Sequence, residues 1–467
     1  MKKLNAFLVS VLSAAALNAA VIEQVIVRQQ WPWSTDIKVE YRISGVDSAT
    51  PVDIAVQAYN GEAELPLPDT AIRGKRYCIV EDGVGTLIID PVAAFGTEKI
   101  ALANFKIKLS VATSSEMSKE VLYKIFDLTE VSVTDVTRGA LLNGEYGAFE
   151  TNFGKIGAGY KTSLSDVVIW TGVTNYPGSK TTKLVMRKVP AGTYKSHGVF
   201  PGENVTVADR FIDYPISKDF YIGVFELTQA QWRNIGAPTG STNNYKYRPV
   251  WVGDERPVET VNFAYMLYGH SAQEGRTPLT PGSEGANCLF RALQNKFYAK
   301  GISVPFTLPT VVQWLIAARA GTTSYYNDGL EKPETPAKNG QMDVLGRYAG
   351  NGDVEGSTSV VGSYRPNAFG LYDTLGNVRE FCCDYWSSCS SLNGLSITAL
   401  DSDATGTLNH QYSTNFCGTD YSASGEGPAD SAQWNATSYA QLGTDSKIDS
   451  SQWKGLIGVR VCFAVAP

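Results

Sequence analysis

Short runs of Val and Ile, each closed by a turn pair, limit what the first quarter of this chain can become. Val21 to Gln29, Ile37 to Ile43, Val52 to Tyr59, Thr86 to Ile89 and Ile100 to Val111 have the length and β-branched content of strands, with partial alternation. Ser44-Gly45, Asn60-Gly61 and Asp82-Gly83 separate them. Strands at this spacing predict an all-β, immunoglobulin-like sandwich over 21–115. Trp31 and Trp33, on either side of Pro32, are expected to pack in or beside it. A connecting β-rich region with Gly-rich turns, such as Gly154 to Gly159, follows over 116–182. A module of this kind spaces or adheres rather than catalyses.

The chain's address stands at its start. Lys2 and Lys3 precede an apolar stretch from Phe7 to Leu17, and small residues run from Ala14 to Ala20. This is the pattern of a signal peptide over 1–20, which predicts a secreted or periplasmic protein. The stretch is too short for a stable membrane span, and no later segment reaches 18 apolar residues. A net charge of −6 without a basic patch argues against a nucleic-acid partner. Seven cysteines in an oxidising compartment allow three disulfides with one thiol left over. Three dispersed histidines and no CxxC pair argue against a zinc site.

From Lys183 the pattern changes to strands mixed with helices. Phe220 to Phe225 reads as a strand, and Thr228 is placed to cap a helix running to Ile235. Asn287 to Lys300 has helical period, and Pro309-Thr310 opens a helix through Ala320 that Gly321 closes. Six ordered segments stand out. They are Leu184 to Tyr194, Phe220 to Trp232, Arg256 to Asn262, Phe306 to Gly321, Val361 to Cys382 and Ile457 to Val461. Together they resemble the formylglycine-generating (sulfatase-modifying factor) family over 183–467. The resemblance implies an α+β, C-type-lectin-like formylglycine-generating-enzyme fold, rich in loops, behind the β-sandwich. It does not cover the first 180 or so residues.

Within the fifth segment, Asp373 and Glu380 offer hard carboxylates, and Gly376 lets the backbone fold so that carbonyls turn inward. Oxygen ligands of that kind suit Ca²⁺. The resemblance implies a structural calcium held by the side chains of Asp373 and Glu380 and the carbonyls of Gly376 and Val378. The alternative is a turn whose carboxylates cap backbone N–H groups. A second implied calcium site would use Asp353 and Asn351 with the carbonyl of Glu355, in a loop that is shortened here.

Oxidases of this family hold Cu(I) between two thiolates close together near the C-terminus, after an RGGSW strand and among arginines. Here only Cys389 and Cys417 lie between Trp386 and Ile457, and no arginine occurs between Arg379 and Arg460. Copper is therefore not expected, and structural disulfides are the expected use of those cysteines. Residues 387–451 are rich in Ser, Thr, Gly, Asn and Asp, with seven acidic residues against one lysine. Trp386, Tyr412, Tyr421, Trp434 and Tyr439 in or beside this stretch are candidate contacts for a protein, peptide or glycan ligand. The alternative is a decoration without a binding role. The reading is an exported, non-catalytic binding or interaction protein on a calcium-stabilised scaffold. The alternatives are a divergent copper- and oxygen-dependent oxidase acting on a cysteine side chain, and a structural surface component.

Overall fold

The computed structural model describes residues 7–9, 20–29, 34–96, 104–147, 150–151, 168–197, 211–237, 250–261, 288–322, 327, 342–351, 356–382, 413–418, 437–440 and 456–465. The chain divides into two units, one of Met1–Leu122 with Asp135–Ala148 and the other of Tyr123–Thr134 with Phe149–Pro467.

The first unit is β-rich. Its strands are β1 (Phe7–Val9), β2 (Val21–Gln29), β3 (Ile37–Ser44), β4 (Val52–Asn60), β5 (Ala63–Leu65), β6 (Ile72–Gly74), β7 (Gly83–Ile89) and β8 (Phe105–Thr113). They form a five-stranded sheet, β1-β2-β3-β7-β6, and a three-stranded sheet, β5-β4-β8. β1, the described part of the apolar N-terminal stretch, pairs antiparallel with β2, Phe7 opposite Val27. Alternation does the sorting: on β3, Val39, Tyr41 and Ile43 are buried while Lys38, Glu40 and Arg42 between them are not. Those side chains join Leu87 and Ile89 of β7, Ile54 and Ala58 of β4 and Ile107 and Leu109 of β8 in one apolar core between the sheets. Tyr41 lies in register with Gly85, and any Cβ there would come within 2.1 Å of its ring. The tyrosine thus covers its neighbour's backbone and donates its hydroxyl to the Lys75 carbonyl at 2.6 Å. Asn60-Gly61 makes the tight turn between β4 and β5, with Gly61 at φ 65. The strand expected from Ile100 is described from Phe105 onward. Trp31, Trp33 and the Gly154–Gly159 turn lie outside the described residues.

The second unit mixes strands and helices, and the first two of its strands begin or end in residues of the first unit. Its strands are β9 (Val121–Asp127), β10 (Ser132–Thr137), β11 (Glu150–Thr151), β12 (Val168–Ile169), β13 (Lys183–Val189), β14 (Gly192–His197), β15 (Phe211–Ile216), β16 (Phe220–Gly223), β17 (Arg379–Cys382), β18 (Ser413–Cys417), β19 (Thr437–Ala440), β20 (Ile457–Gly458) and β21 (Cys462–Ala464). One sheet runs β10-β9-β13-β16-β21 and another β19-β18-β17-β20, in which β17 and β20 are parallel. Phe126 of β9 packs edge-on against Phe297, Phe306 and Phe463, gathering four segments into one aromatic core.

The longest helices described in this unit are α1 (Gln229–Ile235), α2 (Leu289–Tyr298) and α3 (Val311–Arg319). α1 and α3 each open with a capping box. The Thr228 hydroxyl accepts from the Gln231 N–H while the Gln231 side chain accepts from the Thr228 N–H. Thr310 and Gln313 repeat the arrangement. α3 ends one residue earlier than expected. Buried Ala320, at φ 49, takes the left-handed cap, and Gly321 follows at φ 84. β16 is also shorter than the apolar run suggests, because the chain bends at Val224 and its carbonyl turns toward Arg460.

The expected set of three disulfides does not form. Cys78, Cys288, Cys382 and Cys462 are thiols, which leaves three cysteines for at most one bridge. Cys288, Cys382 and Cys462 are core side chains. Burial pushes the thiols of Cys288 and Cys462 up, which keeps them protonated and unreactive. Cys383 and Cys389 lie outside the described residues, and Cys417 stands on β18 opposite Glu380.

Candidate functional site

The stretch from Asn367 to Cys382 is where the sequence concentrates its polar residues between apolar ones, and the structure turns nearly all of them inward. Asn367 donates to the carbonyls of Ala317 and Ala318 at the end of α3 and accepts from the N–H groups of Phe369 and Leu371. One amide therefore satisfies a helix terminus and a tight turn together. Asp373, at φ 55, accepts from the Gly362 N–H at 2.6 Å through Oδ2, while its buried Oδ1 has no hydrogen-bond partner. Gly376, at φ 81, passes so close to the Arg347 carbonyl that a Cβ would sit 2.0 Å from it, so only glycine fits. Asn377, at φ 62, donates to Glu226 at 2.6 Å and accepts from the Ser359 N–H. The Val378 N–H also donates to Glu226.

β17 then carries Glu380 into the interior, where it is fully buried. Arg460 grips it with two bonds, Nε to Oε2 at 2.8 Å and Nη2 to Oε1 at 2.6 Å, and the Trp314 indole N–H donates to Oε2 at 2.6 Å. The other guanidinium donors go to the carbonyls of Gly223, Val224 and Tyr372. Every N–H of this buried arginine is thereby used. Its fork joins β16, the Tyr372 turn, β17 and the segment leading into β21.

Charge does not balance here. Glu226, Asp373 and Glu380 are buried carboxylates that share the Arg460 guanidinium, with Lys180 also acting on Asp373. Burial, reinforced by Asp373 and Glu380, pushes the Glu226 carboxyl well above its usual range. Burial also raises Asp373, against the pull of the Gly362 N–H and Arg460. Desolvation would lower Arg460, but Glu380, joined by Glu226 and Asp373, holds it charged. An uncompensated buried charge costs several kcal/mol per ion, so the cluster calls for a proton or a further cation.

The partnerless Oδ1 of Asp373 and this excess of negative charge fit a hard cation. Glu380 offers only the lone pair on Oε1 that Arg460 leaves. Among the described residues, no three His, Cys, Asp or Glu side chains converge on a metal position, so a cation at Asp373 would need backbone carbonyls such as those of Gly376 and Val378. Asn351 is committed differently. Its Oδ1 accepts from the Tyr348 N–H and from Arg347, its Nδ2 donates to the Gly346 carbonyl, and its own carbonyl accepts from Arg347. Asp353 lies outside the described residues, as do Trp386, Tyr412, Tyr421 and Trp434. Tyr439 stands on β19 opposite Thr414.

In the sequence, Glu226, Trp314 and Arg460 stand only as parts of the six segments, and Arg347 falls outside them. The signal was present: Glu226 follows the run Phe220 to Phe225, and Arg460 interrupts Ile457 to Phe463. A charge inside an apolar run must find a partner in the core.

A family model for the sulfatase-modifying factor enzyme 1-like domain matches residues 176–461. The chaperone protein LppX of Paenibacillus barcinonensis is 28% identical over 221 residues, covering 43% of this chain and 71% of that protein. The formylglycine-generating enzyme of Streptomyces coelicolor is 39% identical over 87 residues, covering 17% of this chain and 26% of the enzyme. Among solved structures, PvdO from Pseudomonas aeruginosa aligns over 60% of this chain and 95% of its own, at 20% identity and a TM-score of 0.40. With the family model spanning more than half of its length, the chain belongs to the sulfatase-modifying factor enzyme 1-like family.

Proposed function

We infer that this chain is an exported, non-catalytic binding or interaction protein whose sulfatase-modifying-factor domain, lectin-like in form, serves as a rigid frame. One observation carries the reading. Apart from Asp373 Oδ1, the polar residues of the Asn367–Glu380 motif, with Glu226 and Arg460, are spent on one another and on groups inside the domain. A frame locked in this way supports recognition by long loops better than it supports chemistry at those side chains. The acidic, aromatic stretch 387–451 supplies the candidate contacts, and its sequence lacks the closely spaced cysteines and the arginines of a copper oxidase. A relative named as a chaperone favours a protein or peptide ligand over a glycan. Calcium belongs to this reading as a structural ion held at Asp373, with Glu380 and the carbonyls of Gly376 and Val378 supplying further oxygens. When bound it would supply the positive charge that the carboxylates lack. The signal-like N-terminus and the immunoglobulin-like sandwich fit an exported protein with a spacer.

The test uses the full chain and a variant in which Trp386, Tyr412, Tyr421, Trp434 and Tyr439 are all changed to Ser. Both are probed with immobilised unfolded polypeptides and with a glycan array. Retention of one probe class by the wild type, lost in the variant at unchanged Tm, supports the reading. Equal retention by both, or none by either, defeats it. Calcium is tested separately. A chelator should lower the Tm, and an unchanged Tm with no metal in the dialysed protein would remove the ion from the account.

A further inference from the structure

The described residues Gly346 to Asn351, with Ser357, gather around a charge. Arg347 is fully buried. Its Nε donates to the Ser357 carbonyl at 3.0 Å, and its Nη1 donates to the carbonyls of Tyr348 and Asn351 and lies 3.3 Å from Asn351 Oδ1. These described partners are carbonyl and amide oxygens, each turning the negative end of its dipole toward the guanidinium. Asn351 closes the ring by accepting from the Tyr348 N–H at 2.9 Å and donating to the Gly346 carbonyl at 2.9 Å. Oxygens gathered in this way around one point are the surroundings that a hard metal ion would otherwise require.

The same residue supports the neighbouring turn. The Arg347 carbonyl accepts from the Asn377 N–H at 2.9 Å, and its backbone lies directly under Gly376. Gly346 in turn is pressed against the Leu375 carbonyl, where a Cβ would come within 1.8 Å. A second cation at Asn351 would meet the guanidinium at contact range in a low-dielectric interior, where like charges repel strongly.

We propose that Arg347 is the built-in cation of the 346–351 turn. Its guanidinium takes the place that a metal ion at Asn351 would hold, and the chain binds at most one calcium. The assignment stands apart from the calcium expected at Asp373, and the experiment separates the two.

Calcium bound to the full chain is counted by equilibrium dialysis with atomic spectroscopy. One ion per chain agrees with both readings. None supports the Arg347 assignment and removes the Asp373 site. Two ions per chain overturn the assignment. Amide exchange then reports on the turn. Arg347→Lys keeps the charge but loses the planar fork, and exchange at 348–351 and at Asn377 should rise about tenfold. Arg347→Met should raise it by about a hundredfold, with the first unit unaffected. Where the Met variant does not fold, the Lys variant carries the test. Exchange at those amides unchanged from the wild type overturns the proposal.

Discussion

The two units hold themselves together by different means. In the first, the buried set is dominated by Val, Ile, Leu and Ala from alternating strands, and its best-connected polar group, Asp53, sits near the rim. Asp53 collects the Cys78 N–H and the hydroxyls of Ser114 and Ser118 while remaining half exposed. In the second, charges pass through the centre. Glu226, Glu380, Arg347 and Arg460 are each fully buried, and the segments they join lie up to 237 residues apart in sequence. An apolar core tolerates gradual change because its interactions are non-directional. A buried ionic lock tolerates little, because removing one partner strands the other.

The largest effect should come from opening that lock. Arg460→Met leaves Glu380 buried beside two other carboxylates and should cost about 3–5 kcal/mol, read as lost amide protection in β16 and β17 with β3 and β7 unchanged. Adding Glu380→Leu to that variant should recover part of the loss, since a buried pair replaced by apolar groups is often neutral. A double variant no more stable than Arg460→Met would show that the pair is not the unit of stability. In the first unit, Leu87→Ala should cost about 2–5 kcal/mol, and here protection should fall in β3 and β7 only. Loss that reaches the second unit's strands would erase the contrast.

Smaller effects sharpen the comparison. Thr310→Ala breaks the capping box of α3 and should cost about 1 kcal/mol, against a cost near zero for Thr310→Ser. The acid response should be modest. Burial would raise Asp127, but Lys183 and the N–H groups of Glu130 and Thr129 hold it well below the usual carboxylate range. Asp219, only partly buried, is likewise held down by Lys188 at 2.9 Å and by the Ala191 N–H. A carboxylate lowered in the folded state contributes stability that is present above its unfolded pKa, about 4, and is lost as pH falls toward the folded value. Stability of the second unit should therefore decline below about pH 4. The double variant Asp127→Asn with Asp219→Asn should already be weaker at neutral pH and flatter against acid. A steeper acid response in that variant would contradict the assignment.

The same contrast explains what the sequence made legible. β2 runs from Val21 to Gln29, as its composition suggests, and β3 and β4 each extend one residue past the apolar run. Alternation is local and needs no knowledge of the rest of the fold. The caps at Thr228 and Thr310 were readable for the same reason. The left-handed Ala320 was not, because tertiary burial rather than propensity holds an alanine there. The Asp373–Glu380 turn was recognised as a cluster of oxygens. Its true partners, Glu226, Trp314, Arg347 and Arg460, come from four other segments, and pairings of that range leave no periodic trace. β17 shows the limit most clearly, since it pairs in parallel with β20 across more than seventy intervening residues.

On the reading proposed above, the family motif is a structural frame rather than a reaction centre. The direct measurement is oxygen uptake by the reduced full chain, supplied with Cu(I) and a cysteine-containing peptide, with aldehyde formation on the peptide followed in parallel. The account predicts uptake no faster than the protein-free blank and no aldehyde. Sustained turnover that yields peptide aldehyde, and that disappears in Cys417→Ser or Cys389→Ser, would contradict it.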